Sequence, residues 1–383
     1  MLDLGNHSEE CPALLDRAER LLDASDPAQA GLIAYGLALR TYGLQLHDRY
    51  DEIVTDMQRG LALLDHSAEH RYLRVELSSH LAFALNRLGR PAEAEAVLVP
   101  IVASLRGDDD AERVLLLDAL GTLSSALGDQ GRHDEAIAMQ REAVDVAEKL
   151  YGKDNPVITD SLNTLARTLN NAGRLPEAIT VMERTVTLDR LNAVDGKNPQ
   201  LASALCNLAV LEIKQERDDE AMKHLDEAIA VAAQASFDVD LARSLYWRAT
   251  LNLIAGRLVR AHEDQSRMAA VLAPMHQPSE GVMLRGRSLA LAIMFAEGGP
   301  EAATRSTCAE ASTINEAFAP KPDGADARFA GFLHELCEQA ASAEPVTATL
   351  QRLDARHAAP TAHHLRIAHA INASWSRTDA GRR

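Results

Sequence analysis

Aromatic residues are scarce, at 4% of 383 residues. Strands favour aromatic and β-branched side chains, so this scarcity argues against a β protein. There are only four cysteines, Cys11, Cys206, Cys308 and Cys337, widely spaced and with no CxxC pair. That usage fits a reducing compartment and a cytoplasmic protein. Long apolar runs are missing too. The uncharged stretch from Pro27 to Leu39 falls short of the roughly 18 residues a membrane span needs. The N-terminal segment MLDLGNHSEE has neither a basic n-region nor an apolar h-region, so no signal peptide is expected. Basic residues are in deficit, with 39 Lys and Arg against 56 Asp and Glu and a net charge of −17. An acidic chain gains nothing from counterion release on DNA. An anionic membrane surface is disfavoured for the same reason, so neither nucleic acid nor membrane is an expected partner.

The chain does have a core-sized apolar fraction, 46%, dominated by Ala and Leu. These residues let helices form and pack closely, which predicts an all-α protein. A repeat of about 42 residues organises it. Gly89-Arg90, Gly131-Arg132 and Gly173-Arg174 follow one another at that spacing, and Gly256-Arg257 continues the frame. Glu216-Arg217 and Asp48-Arg49 occupy the same slot without glycine, and Gly298 stands 42 residues after Gly256. After each turn comes an acid and an alanine: Glu93-Ala94, Glu135-Ala136, Glu177-Ala178 and Glu220-Ala221. Eight residues before each turn stands a leucine: Leu81, Leu123, Leu165 and Leu208.

This pattern reads as a helical hairpin, A then B, closed by a residue in the left-handed conformation. Ala82, Ala94, Ala166 and Ala178 are small because A crosses B there. Ala143, Thr185 and Ala228 let B meet the next A helix. Asp26-Pro27, Asn155-Pro156 and Asn198-Pro199 put a capping side chain ahead of a first-turn proline. The frame predicts A helices near 27–46, 67–88, 111–128, 156–172, 199–215, 239–255, 280–297, 323–341 and 361–374. It predicts B helices near 9–23, 50–64, 91–105, 133–150, 175–190, 218–234, 258–273, 300–316 and 345–357. Three regions result: degenerate N-terminal hairpins at 1–66, a core solenoid at 67–317, and at 318–383 a degenerate repeat, a capping helix and a short basic tail.

Tyr151–Ala233 contains Leu162-Asn163-Thr164-Leu165-Ala166 and Leu205-Cys206-Asn207-Leu208-Ala209, each after an Asn-Pro linker and before an Arg turn. It resembles the tetratricopeptide repeat in the 42-residue variant typical of kinesin light chains and many bacterial proteins. The match is good over about residues 80–235 and rests on spacing elsewhere. The resemblance implies a right-handed α-solenoid of about eight to nine hairpins, with A helices lining a concave groove. On the best-matched A helix it implies groove positions at Asp160, Asn163, Arg167, Asn170 and Asn171. Asn carries both donor and acceptor and can clamp a peptide backbone, although the same residues also make a plain solvated face. In the following repeats the equivalent positions offer Ser203, Cys206 and Lys214, then Arg243, Tyr246 and Trp247, then Arg285 and Ser288. Arg243, Arg248, Arg285 and Arg287 gather positive charge in an acidic chain. They read either as an anion site or as partners of acids on neighbouring helices. Trp247 reads equally as core or groove.

No catalytic set emerges. There is no GxxxxGK[ST] and no GxSxG, and Gly152-Lys153 and Gly196-Lys197 read as linker turns. His334-Glu335-Leu336-Cys337-Glu338 starts like HExxH but has Glu338 in place of the second histidine. His357, His363, His364 and His369 read as surface residues, His66 and His70 straddle a turn, and Cys206 reads as a small buried residue. No cofactor or metal is implied. The leading expectation is a non-catalytic scaffold that binds a protein or extended peptide in its groove, as an adaptor or regulator. The second is an enzyme or biosynthetic accessory subunit that binds a small anionic substrate in the concavity.

Overall fold

A computed structural model describes residue 17 and residues 21–24, 26–64, 70–107, 109–192, 198–275, 280–318, 325–342 and 366–374. The helices are α1 Pro27–Leu46, α2 Tyr50–Leu63, α3 Arg71–Arg87, α4 Pro91–Leu105, α5 Asp110–Asp129, α6 His133–Tyr151 and α7 Thr159–Asn171. They continue as α8 Leu175–Leu191, α9 Pro199–Lys214, α10 Asp218–Ala235, α11 Asp238–Ile254, α12 Leu258–Leu272, α13 Glu280–Gly298, α14 Arg305–Phe318 and α15 Ala325–Ser342. There is no strand among the described residues. Odd-numbered helices are the A helices and even-numbered ones the B helices of consecutive hairpins. The predicted helices at 9–23 and 345–357 lie largely or wholly outside the described residues. Most other boundaries agree with the 42-residue frame within a few residues. One differs at its start: Asn155 Oδ1 accepts the Val157 N–H at 3.0 Å and opens a short 3-10 turn, Pro156–Ile158, ahead of α7. Asn198 Oδ1 caps α9 in the expected way, accepting from the Gln200 N–H at 3.0 Å.

Six hairpin turns of the frame close alike. Gly89, Gly131, Gly173 and Gly256 have φ between 70° and 76°, and Asp48 and Glu216, in the slot that lacks glycine, follow at 54° and 59°. The next N–H then reaches back five residues: Arg90 to Leu85, Arg132 to Leu127, Arg174 to Leu169, Arg217 to Glu212 and Arg257 to Asn252, all at 2.8–2.9 Å. This is the Schellman arrangement, which satisfies helix-end carbonyls and needs a left-handed residue. At the last such turn the positive φ falls on Gly299, not on Gly298 as the spacing predicts, and a 3-10 segment, Gly299–Ala302, precedes α14.

The arginine after the turn has a purpose of its own. Arg49, Arg90, Arg132 and Arg174 each pair with a glutamate three residues on: Glu52, Glu93, Glu135 and Glu177. Such exposed pairs contribute little energy but fix the start of each B helix. Further pairs link B helices of successive repeats, including Arg132 to Glu95 at 2.7 Å, Arg106 to Glu142 at 2.8 Å and Arg141 to Glu177 at 2.7 Å. Where A crosses B, Ala94, Ala136, Ala178, Ala221 and Ala261 are all fully buried.

The chain divides into two compact units, Met1–Val181 and Met182–Arg383. The first has a core running from Ile33 to Val146, with Met57, Leu77, Leu98 and Leu120 among its fully buried side chains. The second is built around Leu245, Phe295, Phe332 and Leu336. Residues 366–374, expected as one more A helix continuing the stack, are helical but fold back instead. Ile367, Ala368 and Ile371 enter the core of the second unit. Arg366 donates to the Ile213 carbonyl at 3.2 Å and pairs with Asp218, while Ser374 Oγ donates to the Ala296 carbonyl at 2.5 Å. Cysteine spacing was a poor guide to pairing. Cys308 of α14 and Cys337 of α15, 29 residues apart, are joined in a disulfide with Cα atoms 5.5 Å apart. The two helices, B of one hairpin and A of the next, pack against each other, which closes a gap that sequence distance leaves open.

The turn geometry makes a test of signed effect. Glu216→Gly relieves a left-handed non-glycine residue and should raise unfolding free energy by about 1 kcal/mol, whereas Gly173→Val should lower it by about 1–2 kcal/mol. Ala166→Leu and Ala178→Leu should each cost about 1–3 kcal/mol by overpacking. Urea unfolding of each variant measures all four.

Candidate functional site

The A helices of the first unit, α1, α3, α5 and α7, pack side by side in chain order. Counting back from each turn residue (Asp48, Gly89, Gly131 and Gly173), positions 13, 9, 6 and 2 residues earlier fall on one stripe of each helix. The rows this makes across the four helices are Tyr35, Glu76, Asp118 and Asp160; then Leu39, His80, Thr122 and Thr164; then Tyr42, Phe83, Ser125 and Arg167. The last row includes Arg87 and Asp129.

Over α3, α5 and α7 these rows wall a cleft of about 680 Å³. Asp118, Asp129, Asp160, Thr122, Thr164 and Arg167 are on its walls, with Phe83 and Arg87 at one end and Gln140 reaching it from α6. The hydroxyls of Thr122 and Thr164 donate to the carbonyls of Asp118 and Asp160 on their own helices, at 3.1 and 3.0 Å. Arg87 lies over the Tyr50 ring, 5.2 Å from its centroid, and Tyr50 meets Phe83 edge-on. Gln140 is 2% exposed, and its Oε1 has no hydrogen-bond partner; the buried Asn86 Oδ1 has none either. Each buried acceptor without a donor costs about 1–3 kcal/mol.

Of the expected groove residues, Asp160 and Arg167 stand on the cleft wall. Asn163 and Asn170 do not; Asn171, two residues before Gly173 and so in the row of Arg87 and Asp129, is exposed but off that wall. Asn163 is half-buried with its Oδ1 enclosed, because the position ten residues before the turn is a packing position. Its equivalents in the second unit, Cys206, Tyr246 and Ser288, are all buried. The groove stripe runs one residue later, through Thr164. Asn170 stands three residues before its turn, as Asn86 does, and Asn86 Nδ2 donates to the Thr122 carbonyl at 3.3 Å on the next A helix. The Asn170 Nδ2 donates instead to Asn171 Oδ1 at 3.4 Å on its own helix.

In the second unit the expected cationic site resolves into pairs. Arg243 donates to Ser203 Oγ at 2.8 Å and lies 3.3 Å from Asp240. Arg248 bridges Asp226 and Asp264, Arg285 pairs with Asp326 at 2.9 Å, and Arg287 pairs with Glu310. Their carboxylate partners occupy the geometry an anion would need. Tyr246 sits in the core, where burial pushes its phenol well above its usual range, and Trp247 packs on it edge-on. Lys214 is half-buried, and burial lowers its pKa. Burial raises the pKa of the fully enclosed Cys206 thiol, the opposite of what a nucleophile needs. Cys337, in the segment that starts like HExxH, is spent in the disulfide. His369 is exposed, while His66, His357, His363 and His364 lie outside the described residues. No group of histidines, cysteines and carboxylates suited to a metal occurs among the described residues.

Sequence reasoning missed the first unit's A-helix face over α1 and α3. Leu32, Tyr35, Leu39 and Tyr42 form an exposed apolar stripe on α1, with Tyr42 58% exposed and Phe83 beside it on α3. Applying the frame at Asp48 to α1 puts Tyr35, Leu39 and Tyr42 on the groove rows, and that signal was present in the sequence.

Models of the tetratricopeptide repeat match residues 76–99, 115–191 and 201–236. The chain carries tetratricopeptide repeats. Among solved structures, the tetratricopeptide-repeat chain is similar to a signal transduction ATPase with numerous domains and a tetratricopeptide repeat sensor from Pyrococcus horikoshii. That likeness has a TM-score of 0.58 at 12% identity, over 88% of this chain and 48% of the other. It is also similar to aspartyl phosphate phosphatase F from Bacillus subtilis, with a TM-score of 0.54 at 14% identity over 85% of this chain and 83% of the other. A third likeness is to the apo form of RapI, with a TM-score of 0.50 at 10% identity over 89% and 81% of the two chains. At such identities these likenesses speak to the fold alone. No curated protein sequence matches the chain. No described helix is long and apolar enough to cross a membrane.

The tetratricopeptide frame separates tie from wall. Asn86→Ala should lower unfolding free energy by about 1 kcal/mol, whereas Arg167→Ala, exposed on the cleft wall, should change it by less than about 0.5 kcal/mol. Thermal and urea unfolding compare the two.

Proposed function

We propose that this tetratricopeptide-repeat chain is a non-catalytic scaffold, an adaptor or regulator. In this reading it holds an extended peptide or a segment of a partner protein on the A-helix face of its first unit. The observation that carries the proposal is the cleft over α3, α5 and α7, whose wall repeats the same helix positions from one repeat to the next. A wall of this kind offers polar groups at repeating positions, which suits a main chain whose own polar groups repeat at regular spacing. The small-anion reading draws no support from the arginines of the second unit, since each already holds a carboxylate or hydroxyl.

Gly121 supplies the test. It lies on the cleft wall, and a Cβ built there meets nothing within 4 Å. Gly121→Trp should fill the cleft without strain, and replacing a mid-helix glycine should leave stability equal or higher. Dodecapeptides selected by display on the full chain should lose at least tenfold in affinity against Gly121→Trp, while Tm is unchanged or raised. Equal affinity for parent and variant would place peptide binding elsewhere.

A further inference from the structure

The four A helices of the first unit differ in chemistry from one end of the face to the other. Over α1 the face is apolar and aromatic, with Phe83 beside it on α3: Leu32, Tyr35, Leu39, Tyr42 and Phe83 are all exposed. Over α5 and α7 it is acidic. Asp118, Asp129 and Asp160 are exposed and make no ion pair among the described residues. Glu76 carries the same row onto α3. Two arginines oppose them, and one, Arg87, is engaged with the Tyr50 ring. Residues 1–181 hold 30 acids and 17 bases, so the wider field also favours a cation. At the cleft wall, the buried Gln140 Oε1 and Asn86 Oδ1 are acceptors without donors. Apolar anchor and carboxylates therefore lie in order along one face.

Resting on the reading above, we propose that the peptide taken by this face is bipartite: a bulky apolar residue seated over α1 and α3, and basic residues seated on Asp118 and Asp160. Spacing follows from helix packing. Neighbouring helices lie about 8–10 Å apart, and an extended chain advances about 3.3 Å per residue. Asp118 and Asp160, at the same position of neighbouring A helices, are met by basic residues about three apart. The apolar residue, two helices from α5, stands about five or six residues from the nearer one. Charge-assisted hydrogen bonds from Lys or Arg to these carboxylates select the sign of the ligand. The aromatic stripe selects its anchored end.

The experiment uses the full chain and three fluorescent pools of dodecapeptides, randomised over small polar residues except at fixed positions. One pool fixes Phe and two Lys at the spacing above, one fixes Phe and two Glu, and one fixes Ser and two Lys; each contains both chain directions. Anisotropy titrations should show the Phe-Lys pool binding at least tenfold tighter than either other pool, with the advantage shrinking in high salt. Asp118→Asn with Asp160→Asn should remove most of that advantage, and Tyr42→Ser should bring the Phe-Lys pool towards the Ser-Lys pool. Asp145→Asn, an exposed acid of α6 off the cleft wall, should change nothing. If the Phe-Glu pool binds as tightly, or Asp145→Asn weakens binding as much as the cleft variants, the bipartite proposal is overturned. Where binding in that case still falls with Gly121→Trp, the groove reading survives. If no pool binds, or Gly121→Trp leaves all binding intact, both fall together.

Discussion

One backbone conformation governs the molecule. At six hairpin turns a single residue takes a φ of about +54° to +76°, and the N–H after it returns to a carbonyl five residues back. That turn sets where the A helix stops and the angle at which the B helix leaves. Glycine takes this conformation without a Cβ clash, and Asp48 and Glu216 take it at a cost that the packed hairpins around them absorb. A fully buried alanine five residues after the turn then lets the B helix cross the A helix closely. With both constraints repeated, the A helices of the first unit come to lie side by side with equivalent residues in rows.

Those rows make the groove, and they explain why a one-residue difference in position matters. Neighbouring positions on a helix are about 100° apart. Asn163 therefore turns into the packing and Thr164 onto the cleft wall. The same packing position holds Cys206, Tyr246 and Ser288 in the second unit, each buried. An unusual residue there reports on the fit between hairpins. Residues on the groove rows are free to vary, and in the first unit they grade from tyrosine and leucine to aspartate.

Charge is divided by the same geometry. Arginines and glutamates on the B helices pair within and between repeats, so their charge is locally neutralised. Arg243, Arg248, Arg285 and Arg287 of the second unit's A helices are neutralised as well, by acids on their own or neighbouring helices. On the cleft of the first unit, Asp118, Asp129 and Asp160 make no ion pair among the described residues. A surface that leaves its acids free and its aromatic residues exposed is arranged for a partner that supplies the complement.

The sequence by itself determined the hairpins. A turn residue, an arginine, an acid and an alanine recurring every 42 residues carry their meaning locally, so helix boundaries and crossing points were legible without a structure. Asp160 and Arg167 were legible for the same reason, as were the turns at Asp48 and Glu216 that lack glycine. Only the tertiary structure decided the rest. Whether Arg285 is available depends on Asp326, 41 residues away, and whether Cys308 is a thiol depends on Cys337 in the next helix. The return of residues 366–374 to Ile213 and Ala296 joins positions 78 to 153 residues apart. A repeat frame describes each hairpin against its neighbours; it carries no information about partners more than one repeat away, and those contacts follow from the packing of whole helices.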